Sequence, residues 1–466
     1  MTTTIGRSTS GLVLGAVAVV SFLGLGFALV FMKMPPQTIL ALVAGMITVT
    51  ISAFRPYVGV HVIVALIFIE GATTLPEWST VMQVFGLLLL TGWMAQALAQ
   101  RRLRVQIGPQ VLLVLAYLVW GSICVLKAYD VREALSRMGT YGMLSVTALM
   151  VVSVVNTPER LRRLFTALAL WVGLSGIIAL VMYYAGATLV ASGFVGNRNI
   201  LALYCNIGLA GAFLLQTLTR APMTKILLFA SLPITLLTLG LTLSRTGLVI
   251  MLVALTVVGY RLLRQRGVML LLGGALAIVV LGVVLPASFW SRAGTILPSI
   301  ERQQDTFGMR VRLWEAGVRM VEDRPIFGVG PGNFRLVLAR YARGGLAGTQ
   351  LNAHNAYVVV AAETGLPGLA LFLSIMIAGG LAARGVARAA RAAGREDLAL
   401  AAFMVQLLTF IVLCTGITMT VEGLKILWIL VGAGQALVGI ARVELSQAGA
   451  TEPAVALGEP VEATPA

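Results

Sequence analysis

Apolar runs of membrane-spanning length recur along almost the whole chain. They fall at about 11–32, 37–54, 57–72, 81–98, 109–126, 138–155, 161–185, 199–219, 225–243, 246–262, 268–288, 355–384, 400–418 and 425–441. A transmembrane helix needs roughly 20 such residues, so the expected fold class is an all-α polytopic membrane protein with about 12–14 transmembrane helices. The run at 57–72 is short enough to be re-entrant, and that at 355–384 is broken by Pro367. Charged residues make up only 11% of the chain, against about 25% in a soluble domain. Residues 11–32 are apolar for longer than a signal-peptide core, no small-x-small site follows, and another span comes at once. They are read as a retained first helix.

The net charge of +16 would suggest nucleic acid were it not for its distribution. Arg55, then Arg101, Arg102 and Arg104, then Arg160, Arg162 and Arg163 lie between apolar runs, as do Arg220 and Lys225. Arg261, Arg264 and Arg266, then Arg384, Arg388, Arg391 and Arg395, continue the series. Alternate short loops are poor in Lys and Arg, except around 127–137. By the positive-inside rule the rich loops are cytoplasmic. Both termini are then cytoplasmic and residues 301–354 face the opposite side, the periplasm of a Gram-negative cell. Four parts are expected: transmembrane helices over 1–288, a periplasmic subdomain with amphipathic helices over 289–354, further transmembrane helices over 355–443, and a disordered cytoplasmic tail over 444–466, rich in Ala, Pro and Glu. Cys124, Cys205 and Cys414 lie inside apolar runs with no CxxC spacing, which points to small core residues.

The polar interval 301–368 is where chemistry can reside. Residues 309–323 have helical periodicity. Arg310, Leu313, Trp314, Gly317, Val318 and Val321 fall on one side, and Arg312, Glu315, Arg319, Glu322 and Asp323 on the other. Glu315 and Arg319 are spaced to pair. Arg312 stays open between a solvated helix face and a substrate contact. Arg310 shares its side with Trp314, and a buried guanidinium needs an anion. The turn at 325–334 carries Gly328, Gly330 and Gly332. It reads as a structural reversal, with a phosphate-binding nest as the alternative.

His354 follows Asn352, which can cap the next helix and place the imidazole in its first turn. A helix start disfavours the imidazolium, leaving the neutral ring that a general base needs. Glu363, nine residues on, lies too deep to orient His354. It is either a functional intramembrane carboxylate or the partner of an arginine. His61 reads as structural. Arg245 and Arg198 sit at helix ends on the non-cytoplasmic side, where a lipid phosphate would lie, although an interfacial snorkelling arginine looks the same in sequence.

The ordered set Arg310, Trp314, Pro325, GVGPGNF at 328–334, HNAY at 354–357 and AAETGLPG at 361–368 resembles the O-antigen ligase and polymerase family. SRTG around Arg245 and GNRN around Arg198 resemble further motifs of that family. The resemblance implies a C-type membrane glycosyltransferase that needs no metal and no cofactor. Its donor would be an undecaprenyl-pyrophosphate-linked glycan and its acceptor a hydroxyl of lipid A–core. It implies His354, Arg310 and Arg245 as catalytic residues and Arg198, Asn199, Arg312, Asn355, Tyr357 and Glu363 as substrate-binding residues. The residues agree in one respect: arginines suit a pyrophosphate leaving group, and no paired carboxylates call for a divalent ion. O-antigen ligase is the expected activity. O-antigen polymerase and protein O-oligosaccharyltransferase are alternatives within the class. A lipid or polysaccharide transporter is the alternative outside it, set back by the absence of two-half symmetry.

Overall fold

The computed structural model describes residues 55–69, 93–94, 108–259, 306–342 and 351–447. Among these residues there is no strand. The helices in order are α1 (Pro56–Ile69), α2 (Pro109–Val125), α3 (Val131–Val154), α4 (Pro158–Tyr184), α5 (Arg198–Leu218) and α6 (Pro222–Leu241). They continue with α7 (Arg245–Gly259), α8 (Thr306–Asp323), α9 (Phe334–Tyr341), α10 (Ala356–Ala392), α11 (Glu396–Gly416) and α12 (Lys425–Gln447). Among the described residues, seven helices (α3, α4, α5, α6, α10, α11 and α12) are long and apolar enough to span, and α1, α2 and α7 are shorter apolar helices. The protein is thus an all-helical polytopic membrane protein. The expected spans at 11–32, 37–54 and 268–288, most of 81–98, and the tail beyond 447 lie outside the described residues, as do the Arg101–Arg104 and Arg261–Arg266 clusters.

Local sequence explains where the helices begin. Pro109, Pro158 and Pro222 open α2, α4 and α6, where a missing N–H costs nothing. Asp130 caps α3 by accepting from Glu133 N at 3.0 Å, and Thr157 caps α4 by accepting from Arg160 N at 3.2 Å. Helix α12 is almost wholly buried and forms the centre of the bundle, packed on α3, α10 and α11. Small residues allow the close approach: a Cβ at Gly432 would sit 2.6 Å from the Ala148 carbonyl oxygen of α3.

The bundle has two chemically different ends. At one end Tyr57 donates to the Arg160 carbonyl, Arg162 to the Leu218 carbonyl, and Arg395 pairs with Asp397 and Glu444. This is the cation-rich end expected to be cytoplasmic. At the other end the α2–α3 connection meets the turn after α8: Tyr129 N donates to Val329 O at 3.2 Å and Asp130 N to Asn333 Oδ1 at 2.7 Å.

Helices α8 and α9 form a small subdomain with its own core of Leu313, Ala316, Met320, Phe334, Val337 and Leu338. That core continues into Val359 and Ala362 of α10. The predicted inner face of α8 needs one correction. Val318 is 50% exposed, whereas Ala316 and Met320 are buried. The helix rests on a nearer core beneath it, centred on Leu313 and Phe334, and Val318 falls outside that arc.

Candidate functional site

Two helices begin side by side with an arginine. Arg198 is the first residue of α5, capped by Asn197, whose side chain accepts from Asn199 N at 2.9 Å and Ile200 N at 3.3 Å. Arg245 is the first residue of α7, and Ser244 Oγ accepts from Gly247 N at 3.2 Å as its cap. Ser244 Oγ also donates to Asn199 Oδ1 at 2.9 Å, which locks the two starts together. Deeper down, Asn206 donates to Gly247 O at 3.0 Å. Each start adds the partial positive charge of unpaired backbone N–H groups to its arginine.

Arg310 of α8 joins this pair. It is half-buried, and its Nε has no hydrogen-bond partner among the described residues. Burial, then the charges of Arg245 and Arg198, hold its guanidinium below the usual arginine value. Trp314, one turn on, donates its indole N–H to the Ala353 carbonyl at 2.8 Å, which brings α8 alongside His354. The His354 imidazole is solvent-accessible and lies below the usual histidine value, through partial desolvation first and the charge of Arg310 second. Its backbone is left-handed, with φ of 49°. A non-glycine residue held there costs of order 1–3 kcal/mol and is found where surroundings over-determine it, often at functional sites. His354, Arg310, Arg245 and Arg198 therefore form one electrostatic group.

Several expectations change. Asn352 is not the helix cap. Asn355 is, with Oδ1 accepting from Tyr357 N at 3.0 Å and Val358 N at 3.1 Å. His354 thus lies before the helix rather than in its first turn, and its neutrality comes from desolvation and Arg310. The Asn355 oxygen expected on substrate is held by the cap, and the Asn199 oxygen by Ser244. The Tyr357 hydroxyl donates to the Leu413 carbonyl of α11 at 2.7 Å, a packing bond. Arg312 is half-buried with Nε unpartnered among the described residues, so it does not lie on a freely solvated face.

Glu363 departs furthest from expectation. It is 4% exposed and accepts from Gly332 N at 2.7 Å and Phe334 N at 3.2 Å. The turn at 325–334 docks onto the break in α10 at Gly365, where φ is 72°. Val329 N donates to Ala362 O, Gly330 N to Glu363 O, and Leu366 N to Pro325 O. The contact is so close that a Cβ at Gly328 would lie 2.5 Å from Ala362 O. The structural reading of the turn holds, and its amides face the chain's own carboxylate.

Two charged residues at this end escaped notice in the sequence. Arg137 of α3 acts electrostatically on Glu363 and on Glu422 in the 417–424 loop. Glu422 is 4% exposed, and its Oε2 has no partner among the described residues. Burial, opposed in part by a hydrogen bond from its own backbone N–H and by Arg137, pushes its carboxyl up to about 7. A carboxylate in the short gap between the apolar runs 400–418 and 425–441 was the signal available for it.

Arg198, Arg245, Arg310 and His354 thus gather at one end of a helical bundle of a polytopic membrane protein. Residues 227–373, from α6 to the middle of α10, match the family model of O-antigen ligase. That match covers about a third of the chain and supports a relation to the O-antigen ligase/polymerase family. The matched segment contains Arg245, Arg310, His354 and Glu363. None of the curated proteins matches the chain.

Proposed function

We propose that the protein is an O-antigen ligase. It transfers a polysaccharide from undecaprenyl pyrophosphate to a sugar hydroxyl of lipid A–core, at the periplasmic face of the bacterial inner membrane. The observation that carries this reading is the charge environment of Arg310. The charges acting on it among the described residues are those of Arg245 and Arg198, and both are cations. Like charges gathered in a half-buried place gain stability when an anion joins them. A pyrophosphate that leaves with extra negative charge answers that need, and the planar forks of arginine grip its oxygens in pairs.

In the transfer the acceptor oxygen bonds to the anomeric carbon while the bond from that carbon to the pyrophosphate oxygen breaks. The leaving undecaprenyl pyrophosphate takes the electron pair, stabilised by Arg310, Arg245 and Arg198. His354 removes the acceptor proton. With arginines neutralising the leaving group, the reaction proceeds without a divalent metal. Deletion of the gene followed by gel analysis of surface polysaccharide tests the reading. Rough lipopolysaccharide with long glycan left on the carrier is expected. Lipid A–core capped with a single repeat unit would identify a polymerase instead.

A further inference from the structure

Successive backbone N–H groups around positive-φ residues make a concavity that binds anions. Gly328, Gly330 and Gly332 have φ of 66°, 101° and 76°. The anion in their concavity is the Glu363 carboxylate, one oxygen on Gly332 N and the other on Phe334 N. Arg137 supplies the opposing charge across α3. The position of this carboxylate matters because of what the turn connects. It follows α8 directly, and Glu363 lies about two turns into α10. The turn after α8 is therefore tied to α10 through Glu363, and the middle of α8 to the residues just before α10 through Trp314 and Ala353. Arg310 sits one turn before Trp314, and His354 is the residue after Ala353. These two ties decide how Arg310 stands relative to His354.

We propose that Glu363 is a positioning residue for glycan transfer, holding α8 on α10 through the amide concavity and so setting Arg310 against His354. Its catalytic meaning rests on the transfer reading above. The test uses full-length protein in detergent, carrying a histidine-free affinity tag and His61→Gln, so that His354 is the one imidazole left of the two in the sequence. Acylation of His354 by diethyl pyrocarbonate is followed against pH, a readout that involves no glycan. The parent protein has its midpoint below about 6.5. In Glu363→Ala the midpoint rises as the ring leaves the field of Arg310, and glycan transfer falls about 10²-fold, as a misplacement of about 1 Å can cause. Formate, which fits the emptied concavity, restores both. A folded Glu363→Ala protein with the parental midpoint overturns the proposal. Should that variant not assemble, Glu363→Gln keeps the volume but turns an amide N–H toward a backbone N–H. Its midpoint rises and formate does nothing, whereas an unchanged midpoint overturns the proposal. Absence of transfer by the parent protein would sink the ligase reading while leaving the acylation comparison intact.

Discussion

Gly365→Ala is the sharpest probe of how the site is built. The backbone at Gly365 has φ of 72° and ψ of −179°, a region essentially closed to other residues. Entering it costs about 1–3 kcal/mol for a residue with a Cβ. The added methyl would also lie 2.0 Å from the Ile326 carbonyl oxygen and 2.8 Å from that of Pro325. Both are backbone atoms, so relief requires the whole 325–334 turn to withdraw from α10. Withdrawal breaks the bonds from Leu366 N to Pro325 O, from Val329 N to Ala362 O and from Gly330 N to Glu363 O, each worth about 0.5–1.5 kcal/mol net. The expected loss from these terms is therefore about 2.5–7.5 kcal/mol from a single methyl. Gly380→Ala on the same helix is the internal control, because nothing lies within 4 Å of its added Cβ. That change should be neutral or stabilising by up to about 1 kcal/mol. Thermal unfolding of both proteins in one detergent, with glycan transfer measured alongside, decides the matter. If Gly365→Ala melts with Gly380→Ala and keeps full transfer, the turn is not docked on α10 as described.

Other consequences can be checked in the same preparations. His354→Ala should lose turnover by roughly 10²–10⁴-fold while binding donor lipid nearly as before, whereas Arg310→Lys and Arg245→Lys should lose most activity despite keeping the charge. Equal loss of donor binding in His354→Ala and Arg310→Ala would make His354 a phosphate ligand. With His354 as the proposed base and its pKa depressed, transfer should persist below pH 6.5 and fall only as pH drops through the lowered midpoint; a midpoint above about 6.5 contradicts the described desolvation. Glu422, raised to about 7 when folded, binds a proton that the unfolded chain has released. Stability should fall as pH rises from about 4.5 to 7 by a few kcal/mol, and Glu422→Gln should flatten that slope. Transfer should survive EDTA, and activity that vanishes with chelator and returns with magnesium would refute the metal-free mechanism.

The membrane class and the helix order were readable because a period-free apolar run has few structural outcomes. Helix α8 was readable from its periodicity, and the partial burial of Arg310 from the side it shares with Trp314. The cap was misplaced by three residues because Asn352 and Asn355 are chemically identical, and only the backbone decides which one stops being extended. The reading of Asn355, Tyr357 and Glu363 as substrate ligands came with the family resemblance. The partners of Tyr357 and Glu363, Leu413 O and the amides of Gly332 and Phe334, come from elements distant in sequence. Long-range backbone partners leave no trace in a local pattern. Arg137 was missed for the same reason: it reads as a loop charge until α3 is packed against the turn and the 417–424 loop.

The two anion sites at this end of the bundle differ in one respect that separates structure from function. The concavity of the 325–334 turn has its carboxylate built in, with short bonds and almost no exposure. The group of Arg310, Arg245 and Arg198 has no carboxylate acting on Arg310 among the described residues. At the opposite end, by contrast, Arg395 is paired with Asp397 and Glu444. The like charges acting on Arg310 disfavour its ionised form in the empty protein and favour any state in which a diphosphate enters. That difference is largest when the diphosphate carries the additional charge of departure, which is the condition for accelerating transfer rather than merely binding the donor. Placing a carboxylate within reach, as in Gly196→Asp next to the Asn197 cap and Arg198, should therefore leave the bundle folded and abolish transfer. Gly196 has φ of 71°, so Gly196→Asn, which has the same shape and tolerates that backbone equally, isolates the charge. If the Asp and Asn variants transfer glycan at the same rate, the positive charge acting on Arg310 is not what drives the leaving group.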